Sequence, residues 1–344
     1  MTWLTWRQFR AQTIATAGFL ALCAVTLVVT GLSLAHLASI TGLSGCHAAG
    51  CVIPADNFII GVHGMFADHV IGLGTGVLYL APAIIGIFWG APLIAREIET
   101  GTFRLAWNQS VSRTRWMMAK LGLIGLAALA TTGLLSLLTG WASSNWYRAA
   151  AVARGRDAPM VNRFEPILFG SQGIVPLGYA AFAFALGVTA GLLIRRTIPA
   201  MAVTLAGFAF VELGWLSWVR PHLMTPVRAS VPFNVNGITG IMLGANNQML
   251  VTTSVDKPGA WILANQTVRS SGRPFTGPAT PACLGQGMQQ CQASIARLHL
   301  RQLVTYQPGS RFWAFQWYET AIFVALAVAL AGFCVWWLRN RRLT

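Results

Sequence analysis

A chain of 344 residues with 10% charged and 55% hydrophobic residues, and a mean hydropathy of +0.58, is not an ordinary soluble globular domain. Its 24 Lys and Arg against 9 Asp and Glu give a formal charge of +15. In a soluble protein that excess would point to nucleic acid, but in a chain this apolar it is accounted for by basic loops flanking membrane spans, so nucleic acid is not an expected partner.

Residues 1–13 are too polar to cross a bilayer. On a helix Trp3, Trp6 and Arg10 fall at i, i+3 and i+7, which suits an elbow helix lying on the inner leaflet, with Arg7 and Arg10 at lipid headgroups. A flexible basic terminus is the plainer alternative. Six apolar runs come next, each near the roughly 20 residues that cross about 30 Å of hydrocarbon. They are Ile14–Ala38, Val70–Ile94, Trp116–Trp141, Gly173–Ile194, Pro199–Val219 and Phe315–Leu338. Val231–Leu250 is also apolar, but Asn234, Asn236, Asn246 and Asn247 would leave amides unsatisfied in lipid, so it reads as part of an external loop. The expected fold is an all-α integral membrane protein with six transmembrane helices in one domain over 1–344. Its expected partner in every reading is membrane lipid.

With both termini inside, the cytoplasmic segments hold half of the basic residues in far less sequence than the outer loops occupy, and the first outer loop holds none. That favours N-in, C-in. Cys46 and Cys51 then lie in the first outer loop and Cys283 and Cys291 in the last, where disulfides persist, whereas Cys23 and Cys334 lie in spans. Cys46–Cys51 and Cys283–Cys291 are the expected pairs, although spacing alone leaves free thiols or pairing between loops open. The connection over 220–312 is too long to be structureless and is expected to form a lid over the outer mouth.

Between spans two and three runs AREIETGTFRLAWNQSVSRTRWMMAKL, Ala95 to Leu121, with five basic residues. Gly101 permits a sharp turn after Glu97 and Glu99, Thr102 can cap a short helix beyond it, and Phe103, Trp107 and Val111 at i, i+4 and i+8 form an apolar ridge. Such a ridge, with Arg104, Arg113 and Arg115 around it, fits a groove on a soluble partner with an acidic rim, or else rests on the membrane surface. The order of acidic pair, Gly-Thr, Ser-Arg and later Lys resembles the loop between the second and third spans of ABC-2 type transporter permeases. By that resemblance Glu97, Glu99, Gly101, Thr102, Ser112, Arg113 and Lys120 belong to the coupling loop (96–115 and the start of span three) that meets the ATPase. The family's Pro shortly before Ser-Arg is missing here, where Asn108, Gln109, Ser110 and Val111 stand.

The chain has no G-x-x-x-x-G-K-[ST], G-x-S-x-G or H-E-x-x-H, so no ATP site and no catalytic set is expected in it. The resemblance implies a membrane subunit of a bacterial plasma-membrane ABC exporter that binds no cofactor itself. ATP and Mg would reside in a cytosolic ABC ATPase subunit, and a second permease subunit, identical or not, would complete the path. The cargo is expected to be amphipathic or hydrophobic, because the spans supply no dense charged lining. A membrane sensor or anchor with a ligand-binding lid and a signalling loop is the alternative.

Three features remain. Glu212 in span five is a candidate for the substrate path, or a structural carboxyl paired with Arg220; Glu319 reads as headgroup-exposed. Gly72/Gly76, Gly86/Gly90 and Gly187/Gly191 have G-x-x-x-G spacing and suit close helix packing within the subunit or at a dimer seam. His63, Asp68 and His69 are read as polar boundary residues rather than a metal set.

Overall fold

The computed structural model describes residues 2–46, 48–101, 112–153, 162–243, 249–255, 257, 259–277, 283 and 287–340. Six of its helices are long and apolar enough to cross a membrane: Ala17–Ile40, Phe66–Glu99, Arg113–Ala142, Val175–Ile194, Thr197–His222 and Gly309–Asn340, here spans one to six. The first belongs to a helix that runs from Thr2 to Ile40, and residues 2–13 form its opening turns. Two shorter helices, Val52–Val62 and Ser144–Val152, come after spans one and three. They pack with the adjoining ends of spans one and two in a cluster that includes Leu34, Phe58, Ile71 and Ala149. A disulfide joins Cys46 to Cys51 just before the first of them.

Span four is the centre of this unit, with 72% of its apolar window buried against 22% in span one. Glycine makes that centrality possible. Gly86 and Gly90 of span two lie against Gly187 and Gly191 of span four, and a Cβ on Gly187 would sit 2.3 Å from the Gly86 carbonyl oxygen. Only hydrogen fits in such a backbone-to-backbone approach. Two of the three glycine pairs are therefore occupied inside one subunit. A Cβ on either member of the third, Gly72 and Gly76, would meet nothing within 4 Å.

Span two carries Pro82 and then a π-helical turn over Gly86–Gly90, where it meets span four. At 1.5 Å per residue its length is about 50 Å, well beyond the hydrocarbon thickness. Spans four and five are joined by only Arg195 and Arg196. Arg195 is left-handed (φ 62°) and donates its N–H to the Gly191 carbonyl at 3.0 Å, which ends span four abruptly.

Residues 162–164 and 221–312 form a second compact unit. Strands β1 (Val227–Pro232), β5 (Arg301–Gln307) and β4 (Trp261–Val268) make an antiparallel sheet in that order, with Val227 opposite Tyr306 and Trp261 opposite Gln307. Strands β2 (Ile238–Leu243) and β3 (Met249–Thr253) make a hairpin-like pair. The described part of the apolar stretch Val231–Leu250 is thus mostly strand, interrupted by a short 3-10 turn at Val235–Gly237, and not a seventh span. Met249, Val251, Phe275, Ile295 and Leu300 form this unit's core, closed by the Cys283–Cys291 disulfide at helix Met288–Ala296. Asn162 donates to the Ala260 carbonyl at 2.9 Å and Phe164 stacks on Trp261, which fixes the 162–164 segment to β4.

Candidate functional site

Two polar assemblies lie toward opposite ends of the six-span unit. The first is built on the last turn of span two. Glu97 and Glu99 are two residues apart, about 200° around a helix, so they reach different neighbours. Glu97 forms an ion pair with Lys120 of span three, whose ammonium also lies 4.5 Å over the Trp116 ring. Glu99 Oε2 accepts the Thr197 backbone N–H at 3.0 Å and its hydroxyl at 2.7 Å. This places a carboxylate at the N-terminus of span five, where unpaired N–H groups favour negative charge. The acidic pair therefore ties the end of span two to both span three and span five.

Gly101 comes next, with φ 72°, and donates to the Ile98 carbonyl at 3.2 Å, stopping span two with the left-handed residue that the sequence suggested. At the other side of the segment Ser112 caps span three, its hydroxyl accepting the Arg115 N–H at 3.3 Å, and Arg113 is that span's first residue. Thr102, Phe103, Arg104, Trp107 and Val111 lie outside the described residues. Of the residues singled out in the loop, the structure brings Glu97 to Lys120 and uses Gly101 and Ser112 as the end signals of the two spans. Thr197 and Trp116 were missed; a Thr directly after Arg-Arg at the start of an apolar run was the available sign of a capping site.

The second assembly joins spans four, five and six. Arg220 donates from Nε to Glu319 Oε2 at 2.9 Å and from Nη2 to Glu319 Oε1 at 2.7 Å, a two-pronged ion pair. Nη2 also donates to the Tyr179 hydroxyl oxygen at 2.9 Å, and that hydroxyl donates to Glu319. The guanidinium lies 4.4 Å over the Phe169 ring. Gln316, one turn before Glu319, accepts the Ile174 and Val175 N–H groups at 3.0 and 3.1 Å and so caps span four.

Two sequence expectations are corrected here. Glu319 is fully buried rather than exposed to headgroups, and Arg220 pairs with it rather than with Glu212. The reason lies in span six: Gln316, Glu319 and Phe323 recur at i, i+3 and i+7, one inward face that a reading by depth alone overlooked.

Glu212 occupies the buried stripe of span five, Thr204, Phe208, Glu212 and Trp215. Eight α-helical steps of about 100° would put Arg220 about 80° off that stripe, but the π-helical turn over Trp215–Val219 takes up an extra residue and returns Arg220 inward. Tyr79 of span two lies beside the Glu212 carboxyl group.

Residues 17–220 match the ABC-2 membrane transporter related family, a stretch that holds spans one to four, all but the last two residues of span five, and both members of the acidic pair. The chain belongs to the ABC-2 membrane transporter related family. No curated protein and no solved structure matches it. As a member of this family the chain is a multi-pass membrane protein and a membrane component of transport. The match ends at Arg220, the last residue before the β-rich unit begins at Pro221.

Proposed function

We propose that the chain is the membrane-spanning subunit of an ATP-driven exporter whose ATPase is a separate cytosolic polypeptide. In this reading residues 96–115 are the coupling loop, the ridge of Phe103 and Trp107 seats in the ATPase with Arg104 and Arg113 on its rim, and a second permease subunit completes the path. The distribution of Lys and Arg supports N-in, C-in, which puts the loop in the cytosol and the 220–312 connection outside. ATP and Mg belong to the partner. The cargo is amphipathic or hydrophobic.

The observation that carries this reading is the acidic pair. A loop that is to move helices must be fastened to them, and Glu97–Lys120 with Glu99–Thr197 fasten the loop's entrance to spans three and five together. A push on 102–111 would therefore be transmitted to span five as well as to the two spans that the loop joins. Coexpression with a candidate ATPase, extraction in mild detergent and affinity capture of the permease test the reading. Recovery of the ATPase, together with ATP-dependent substrate movement in vesicles, is the expected result. Capture of the permease alone would end it, and a ligand bound without net transport would favour a sensor.

A further inference from the structure

Glu212 is not used by the ion-pair network beside it. It is 8% exposed, and its Oε1 has no hydrogen-bond partner among the described residues. Both Glu319 oxygens hold Arg220, and Lys120 is paired with Glu97 toward the opposite end of the bundle, so among the described residues no cation is bonded to Glu212. One turn on, Trp215 Nε1–H is a second buried group without a partner. An unsatisfied acceptor and an unsatisfied donor at i and i+3 on one buried stripe lie within about 6 Å of each other at the Cβ atoms. Buried polar groups are normally paired, and an orphan pair of opposite sense is complementary to a ligand that brings one donor and one acceptor.

The surroundings define that ligand further. Phe208 precedes Glu212 by one turn, Trp215 packs edge-on against Phe323 at 4.9 Å, and Tyr79 lies beside the carboxyl group. Aromatic faces around a carboxylate suit a positive charge on an apolar body. An approach exists too. Gly72, Gly76 and Tyr79 fall at i, i+4 and i+7 on span two, and this unmatched glycine pair leaves open space where side chains would stand. Tyr79, on the same face of the helix, is partly exposed.

We infer that Glu212, Trp215 and Tyr79 form a binding site for a hydrophobic cation, a protonated amine with a nearby acceptor oxygen, reached along the Gly72–Gly76 face of span two. The amine N–H meets Glu212 Oε1 and the oxygen accepts from Trp215 Nε1–H. The site rests on the export reading for its role as a cargo site, but not for binding itself.

Equilibrium binding to the purified full-length chain in mild detergent, without ATPase, tests it. The probe is propranolol, a protonated amine with hydroxyl and ether oxygens on a naphthalene ring; the control is 3-(1-naphthyloxy)-1,2-propanediol, which lacks the amine. Saturable binding of propranolol, at least tenfold weaker for the diol, is expected. Glu212→Gln should weaken propranolol binding at least tenfold and Trp215→Phe a few-fold. Gly76→Leu, at a position where a Cβ meets nothing within 4 Å, should weaken it without altering heat stability, so the test does not depend on the Glu212 variant folding. Modification of wild-type Glu212 by a carbodiimide should also be slowed by propranolol, with Glu319 unaffected. No saturable binding, equal binding of the diol, or wild-type affinity in both Glu212→Gln and Gly76→Leu overturns the site. Intact binding with no recovery of an ATPase would instead leave the site standing and remove the export reading.

Discussion

The Arg220–Glu319 assembly and the Glu97–Lys120 junction are both ion pairs between spans, yet they are built differently. Arg220 and Glu319 are 1% and 0% exposed, joined by two prongs, braced by Tyr179 and covered by Phe169. Around the Glu97–Lys120 pair the lysine is 5% exposed but the carboxylate is 14% exposed, and the adjoining Glu99–Thr197 contact is open to solvent. A fully desolvated network with every lone pair answered has one low-energy arrangement, whereas contacts at a solvated rim exchange readily with water. The first reads as a fixed clamp on spans four to six. In the proposed coupling reading, the second lies where movement would enter.

Breaking the clamp should have the largest effect. Glu319→Gln leaves a buried guanidinium without its counter-charge and is expected to cost about 3–5 kcal/mol, seen as a large loss of folded protein after heating and gel filtration. Replacing both partners by Met should recover most of that loss, because an apolar pair of similar volume needs no counter-charge. If Glu319→Gln is as heat-stable as wild type, the clamp is not what holds these spans.

Lys120→Met tests the other end. Glu97 keeps partial access to water, so the expected loss is smaller, about 1–2 kcal/mol, in the same assay. A loss equal to that of Glu319→Gln would erase the distinction between the two ends. Smallest in stability should be Glu99→Gln, whose carboxylate is at the surface; its heat stability should match wild type. Substrate-stimulated ATP turnover in vesicles should nevertheless fall several-fold while the ATPase still copurifies. Undiminished turnover would mean that the Glu99–Thr197 tie transmits nothing.

The difference between the two ends also shows what a sequence of this kind reveals. Six spans were legible because twenty apolar residues in a row have few other uses, and the strands around Val231–Leu250 were kept out of the membrane by their asparagines. The disulfides join cysteines five and eight residues apart, close enough in sequence to be paired by eye. Gly101 was readable as an end signal because a left-handed turn is local chemistry, whereas Ser112 was marked only by the family resemblance and its capping of span three was not read. What escaped was long-range. Arg220 meets a residue 99 positions away, and a π-helical turn changes the side it faces, so a period of 3.6 applied through Trp215–Val219 points it wrongly. Glu97 and Glu99 were marked for their resemblance to a family motif, but their partners on spans three and five become visible only when the helices are together.

The central claim, that 96–115 is where a separate ATPase takes hold, is tested most directly by Trp107→Asp. A carboxylate on the ridge must be desolvated in a dry groove, at a penalty of several kcal/mol. The measurement is affinity capture of the coexpressed ATPase on the Trp107→Asp permease, with membrane insertion checked alongside. The expected result is normal insertion and no captured ATPase. Wild-type capture with wild-type ATP turnover would place the ridge on the membrane surface and contradict the coupling role.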